Sequence, residues 1–235
     1  MLIVSAYYNI PSKASYEFYY CNIKRFFENI KAQILFFTDH ENYQCLKDIA
    51  GKNVQFQIQE FSELSIFKTF PPAFWQEQIK IDPQKYHTWQ LGAIWANKSR
   101  FVQEAMYICE SEWYMWVDAG SLREDYPQIE KFGSRTLPDT FGIYLQLLKP
   151  LTKTFFSFPD WYIAASHILF HKDYINQYVS LYDETLKIYE EEKIPLIVDQ
   201  YIIASMVPNA PFIHTILVDP DTLPIYRWFF FYLLF

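Results

Sequence analysis

The chain reads as an α/β protein, a mostly parallel sheet flanked by helices. Three observations predict it. Short apolar runs of strand length alternate with helical patterns from the first residues onward. Of the 235 residues 51% are hydrophobic and 20% aromatic, enough for a sizeable core. One aromatic run, Trp113-Tyr114-Met115-Trp116-Val117, delivers a carboxylate, Asp118, and stops on Ala119-Gly120. A buried strand gains nothing from an aspartate at its end unless that aspartate has a partner. In open α/β sheets ligands meet the strands at their carboxyl edge. The same residues also suit a simple turn, with Asp opening it and Gly two positions on.

Residues 2–8 predict a first buried strand. From Tyr16 to Ile30 apolar residues fall at 19, 23, 26, 27 and 30, the repeat of a helix. Residues 33–38 form a second strand, closed by the polar turn Asp39-His40-Glu41-Asn42. A short helix near 42–49 and a third strand over 54–58 complete a β-α-β-α-β opening, whose crossovers are right-handed. Residues 62–85, with Pro71-Pro72 and Asp82-Pro83, read as a short helix and then a loop over the sheet edge. A long helix follows from Tyr86 to Met106, broken near Asn97, and Asp118 closes the fourth strand. Residues 124–140 connect to a strand over 141–148. Trp161 to Phe170 is a further apolar run with small residues Ala164, Ala165 and Ser166 inside it. Tyr174 to Glu191 is an amphipathic helix carrying Tyr174, Tyr178, Tyr182, Leu186 and Tyr189 on one face. A short buried helix over 199–206 and a last strand over 212–218 follow. No repeat or linker divides the chain, so one domain over 1–235 is expected.

The formal net charge is −7, which argues against a nucleic-acid backbone binder. A bound diphosphate would need a local cation. The three cysteines, Cys21, Cys45 and Cys109, show no CxxC pairing and suggest reduced thiols in the cytoplasm. The first residues carry no signal-peptide pattern. No stretch has the roughly 18 apolar residues of a membrane span. The aromatic run 226–235 is expected to pack in the core. Docking onto a protein partner and peripheral contact with a membrane are its other readings.

Four constellations carry chemistry. Asp118, at a central strand end, has the place of a carboxylate that holds Mg²⁺ or Mn²⁺ against a nucleotide-sugar diphosphate. The usual D-x-D spacing would put a second aspartate at Gly120, so the pair is incomplete. Arg123, Glu124 and Asp125 follow closely. In Asn97-Lys98-Ser99-Arg100, Lys98 and Arg100 either face a diphosphate or decorate a solvated helix face. In Val198-Asp199-Gln200, Asp199 is either a helix N-cap or, with Gln200, a base or orienting group for an acceptor. His214 is either a satisfied core histidine or a metal ligand that needs Asp118 within reach. His167 and His171 have i,i+4 spacing but lack the Glu of a zinc-protease pattern. No Gly-x-Gly-x-x-Gly, P-loop or Gly-x-Ser-x-Gly is present, so dehydrogenase, P-loop and α/β-hydrolase readings lose their support.

In order along the chain, four segments resemble the HtrL/YibB family of bacterial polysaccharide-locus proteins and, more distantly, the GT-A glycosyltransferases. They are Ile3-Val4-Ser5-Ala6-Tyr7-Tyr8; Leu91 to Lys98 with Phe101 to Ala105; Trp116 to Gly120 with Arg123; and Asp199-Gln200 before a helix. The resemblance implies a GT-A-like, Rossmann-like fold with a nucleotide-sugar donor at the carboxyl edge of the sheet and a glycan or glycolipid acceptor. It implies that Ala6 and Tyr8 line the nucleotide pocket, that Lys98 meets the diphosphate, and that Asp118 and His214 hold Mn²⁺ or Mg²⁺; Arg100 and Arg123, read from their places in the chain, are further cofactor-binding candidates. Asp199 and Gln200 then form the catalytic acceptor side. Two departures stand out: Asp-Ala-Gly replaces D-x-D, and Ala164-Ala165-Ser166 stands where the family tends to have glycine. The expected activity is sugar transfer in surface polysaccharide synthesis. The rival is a non-catalytic scaffold of the same fold in polysaccharide assembly. Convergence of Asp118, Lys98, Asp199 and His214 on one cleft is the spatial test between them.

Overall fold

A computed structural model describes residues 1–219 and 221–235. Seven strands form one sheet: β1 (Leu2–Tyr7), β2 (Ile34–Thr38), β3 (Val54–Ile58), β4 (Trp113–Val117), β5 (Ile143–Leu147), β6 (Ile163–His171) and β7 (Ile213–Leu217). Their order is β3-β2-β1-β4-β6-β5-β7. Neighbours pair in parallel except around β6, which runs against both β4 and β5. The sequence order therefore reverses between β1 and β4, and the carboxyl ends of those two strands flank the crevice where open α/β sheets bind ligands. Ala6 and Asp118 lie at those two ends.

Both faces of the sheet are covered, which is why β1, β2, β4 and β5 are buried along their whole length and mostly apolar rather than alternating. One face packs on α4 (Trp89–Ala96), α5 (Lys98–Ile108), α6 (Ile175–Glu191) and α7 (Asp199–Met206). The other packs on α1 (Tyr16–Asn29) and on the C-terminal aromatics Phe231, Tyr232 and Phe235. Helix α1 starts because Ser15 caps it, its hydroxyl accepting from Phe18 N at 3.3 Å. It holds because Ile23, Phe26 and Phe27 bury one stripe. The break between α4 and α5 falls at Asn97, as expected. Its Oδ1 accepts from Ile66 N at 2.9 Å, so the side chain ties the helix junction to the loop above it.

Two expectations need correction. The expected loop within 62–85 contains a ten-residue helix, α3 (Pro72–Ile81), with Pro72 in its first turn. Proline breaks a helix interior but suits the first turn, where its missing N–H leaves no bond unmade. The short helix near 42–49 begins earlier, as α2 (His40–Leu46) capped by Asp39, whose Oδ1 accepts from Asn42 N at 2.7 Å. The apolar run 161–170, to which the sequence pattern assigns no element type, falls largely in the reversed strand β6, which carries both His167 and His171. The aromatic run 226–235 does pack in the core, through α9 (Phe231–Leu234), while α8 (Pro224–Arg227) and the turn after it reach over the carboxyl edge of the sheet. None of the described helices is long and apolar enough to cross a membrane.

Candidate functional site

At the β1/β4 crevice one lysine joins two carboxylates. Lys98 begins α5, so its ammonium lies at the positive end of a helix dipole, an unfavourable place for a cation unless anions answer it. Two do. Lys98 Nζ lies 3.0 Å from Asp118 Oδ1 and 2.9 Å from Asp199 Oδ2, and it donates to Ala165 O at 2.9 Å. Trp116 Nε1 donates to Asp118 Oδ1 at 2.8 Å, fixing the carboxylate from its own strand. The side chains of Lys98 and Asp199 are each 5% exposed, and that of Asp118 is 34% exposed. One ammonium against two carboxylates leaves the cluster with a net charge of −1 when all three are ionised.

The protonation behaviour follows from that imbalance. Burial pulls the Lys98 pKa down, but Asp118 and Asp199 together outweigh it and hold the ammonium above the ordinary lysine range. Burial raises the Asp199 carboxyl; Lys98 opposes the rise and Asp118 adds to it, for a net increase. Beneath the cluster, His167 is fully buried, and burial followed by the charge on Lys98 lowers its pKa to about 3, so it stays neutral.

Two cavities meet at this cluster. The first, about 260 Å³, is lined by Ala6 and Tyr8 from the β1 end, by Lys98, Asp118 and Gly120, and by Arg123. Its far walls carry Lys13, Tyr19, His87 and Trp95. The second, about 340 Å³, is lined by Ala164, Ala165 and Ser166 of β6, by Asp199 and Gln200 of α7, and by Ile225, Trp228 and Phe229. Trp95, Lys98, Asp118, Arg123 and Phe229 belong to both, so Asp118 stands on the shared wall. The 225–229 turn is held there by Ser166 Oγ donating to Trp228 O at 3.0 Å and Arg227 Nη2 donating to Leu148 O at 2.7 Å.

Ala6, Tyr8, Lys98, Asp118, Arg123, Asp199 and Gln200 thus surround one pair of cavities. Two expected residues do not. Arg100 is buried, not solvated, and points to α6: its Nη2 lies 2.6 Å from both oxygens of Asp183, and it lines neither cavity. His214 also lines neither. Strand registers place it level with Tyr144, Leu169 and Met115. It is therefore three strands across from β4 and three residues short of Asp118, about 14 Å sideways and about 10 Å back at ordinary strand spacing. It packs on Tyr144, and a Cβ on Gly142 would sit 2.5 Å from its Cδ2, so a glycine makes room for the ring. The four-residue convergence set as the test of the enzyme reading is therefore not met: Lys98, Asp118 and Asp199 come together, and His214 stays outside.

The simpler readings also resolve. Asp199 is not the cap of α7: that position is Val198, and the Asp199 side chain turns to Lys98 instead. Gln200 Nε2 donates to Ile163 O at 2.6 Å, bracing α7 on β6. Neither Lys98 nor Arg100 is on a solvated face; each residue is 4% exposed.

Among the described residues no group of three or more His, Cys, Asp or Glu side chains is placed to hold a metal ion. His214 is out of reach, and the Lys98 ammonium already lies between the two carboxylates. Sequence reasoning missed several lining residues: Lys13, Tyr19, His87, Trp95, Trp228 and Phe229. The buried pair His87 Nδ1 and Asp82 Oδ2, 2.8 Å apart, fixes the imidazole on the cavity wall. The only sequence signal for it was the Asp-Pro turn five residues before the histidine.

No protein-family model and no curated protein matches the chain. Solved structures do. Mouse xyloside xylosyltransferase 1, in its apo form, superposes with a TM-score of 0.55 at 11% identity, over 92% of this chain and 84% of that one. A glycosyltransferase involved in glycosylation of the major capsid of PBCV-1 gives a TM-score of 0.42 at 14% identity, over 94% and 82%. A CMP:2-keto-3-deoxy-manno-octonic acid synthetase complexed with CTP gives 0.45 at 13% identity, over 92% and 89%. The likeness to the mouse enzyme is one of fold, and the fold is GT-A-like α/β.

Proposed function

We propose that this protein transfers a sugar from a nucleotide-sugar donor to a glycan or glycolipid acceptor. One observation carries the reading: Asp118, one-third exposed, stands on the wall shared by two cavities at the point where the strand order reverses. The donor lies in the first cavity, with its nucleotide against Ala6 and Tyr8. The acceptor lies in the second, between the small residues of β6 and the aromatic turn at 228–229. Bond exchange then takes place beside Asp118. Its carboxylate orients the acceptor hydroxyl or takes its proton, because it alone of the two carboxylates reaches both spaces. Asp199 stands behind it and fixes Lys98. The four segments that resemble HtrL/YibB proteins favour a polysaccharide setting, and the GT-A-like relatives among solved structures are in keeping with a nucleotide-sugar donor.

A thermal-shift screen against UDP-, GDP-, CMP- and dTDP-sugars tests the reading. Ligand at a hundredfold excess over Kd adds about 2.7 kcal/mol to stability, or about 5–10 °C in a chain of this size. We expect one nucleotide class to raise the melting temperature of the parent and of Asp118→Ala alike, with sugar transfer lost in the variant. No shift with any donor would favour the non-catalytic scaffold.

A further inference from the structure

The place a divalent ion would take is held by the protein's own ammonium. An ammonium has three donors. That of Lys98 donates to Ala165 O at 2.9 Å and to Asp118 Oδ2 at 3.3 Å, and lies 2.9 Å from Asp199 Oδ2. An ion on Asp118 would stand beside that fixed positive charge, with the other carboxylate, Asp199, already turned to the ammonium. The position that would complete a D-x-D is Gly120, where even a Cβ would lie 3.0 Å from Tyr19 Cε1. A carboxylate there would press on the Tyr19 ring. His214 is on the far edge strand.

The same geometry removes Lys98 from phosphate binding. Its charge is already answered by two carboxylates, and the cluster as a whole is negative, so it repels a diphosphate. The cavity has other cations. Arg123 lies on both cavities, its Nε donating to Gly120 O at 3.0 Å and its guanidinium 5.5 Å and 5.3 Å from the rings of Phe18 and Phe229. Arg25 Nη1 donates to the Arg123 carbonyl, steadying the backbone that presents it. Lys13 lies across the same cavity, 4.8 Å over the Tyr86 ring. Neither Arg123 nor Lys13 has an ion-pair partner among the described residues.

Taking the first cavity as the nucleotide-sugar donor site, we propose that its diphosphate is held without a divalent ion, by Arg123 and Lys13. Lys98 is then the fixed cation that keeps Asp118 and Asp199 together. Arg123 presents a planar fork suited to two phosphate oxygens, and Lys13 adds a point charge on a flexible stem.

Isothermal titration of the full chain with UDP, GDP, CDP and dTDP, first in excess EDTA and then with Mn²⁺, decides it. One diphosphate should bind with the same Kd in both buffers. Arg123→Ala should weaken that binding by about tenfold or more and Lys13→Ala by about threefold, as expected for charge-assisted contacts of unequal geometry. Both side chains are on the surface, so an unchanged melting temperature verifies folding. Binding that requires Mn²⁺ overturns the inference and leaves the donor-site reading standing. Binding untouched by either substitution overturns the assignment of the cations. No binding by any diphosphate in either buffer overturns the donor-site reading together with the inference.

Discussion

Lys98 and Arg100 are two residues apart in the first turn of α5, carry the same charge and are equally buried, yet they do different work. Arg100 meets one carboxylate, Asp183, on the neighbouring helix. Charge balances, the pair lines neither of the two cavities, and it pins α5 to α6. Lys98 meets two carboxylates at the carboxyl edge of the sheet, beside both cavities. There the charges do not balance. Burial alone therefore does not mark a functional charge; an unbalanced cluster that opens onto space does.

The comparison can be broken first at Lys98. Lys98→Met leaves two carboxylates with no cation between them, and removing one partner of a buried pair costs about 3–5 kcal/mol. Urea unfolding should show that loss, and nucleotide binding should fall with it. Arg100→Met should cost less, about 2 kcal/mol, because Asp183 is partly exposed and can regain water. Binding should survive. The double variant Arg100→Met with Asp183→Leu should recover most of the lost stability, since a balanced buried pair can be exchanged for apolar packing. If binding falls in Arg100→Met at unchanged stability, the division between the two residues is wrong.

The third effect is on pH. The His167 pKa is lowered in the folded state from 6.5 to about 3, while the unfolded chain keeps the ordinary value. Between those limits the unfolded state binds the extra proton, so stability falls as pH falls from about 6.5 towards 3. At pH 5 this amounts to about 2 kcal/mol. Denaturation midpoints of His167→Phe should decline less over that window than those of the parent. The smallest effect on stability belongs to Asp118→Asn, within about 1 kcal/mol, because the amide keeps the Trp116 contact and relieves the excess negative charge. Donor binding by calorimetry should be kept while sugar transfer is lost, which separates a group that acts on the acceptor from one that supports the fold.

The parts of this molecule legible in the sequence are those governed by periodicity. Strands β1 to β5 and β7, helix α1, the break at Asn97 and helix α6 each follow from apolar spacing and a cap or breaker. Asp118, Lys98 and Asp199 were legible as charged residues at element ends, where burial demands a partner. The rest depends on direction in space. Nothing local says that Arg100 turns to α6 while Lys98 turns to the sheet edge. Nothing in Phe212 to Thr215 says that β7 lies on the far side of β5, which removes His214 from the site. The reversed β6 was hidden because an apolar run reads the same in either direction. Helix α3 was missed because Pro71-Pro72 was read as a break rather than as a helix start.

The aromatic turn that closes both cavities has a consequence for how the site comes into being. A nascent chain that has been synthesised through α7 already holds Lys98, Asp118 and Asp199, but Trp228 and Phe229 are still to come. Ala6 and Phe229, which end on the same cavity wall, are separated by nearly the whole chain. Contacts of such sequence separation form late, after the entropy of closing the intervening loop has been overcome. The pockets are thus shaped around the charged cluster by a segment that follows all three of its members in the chain.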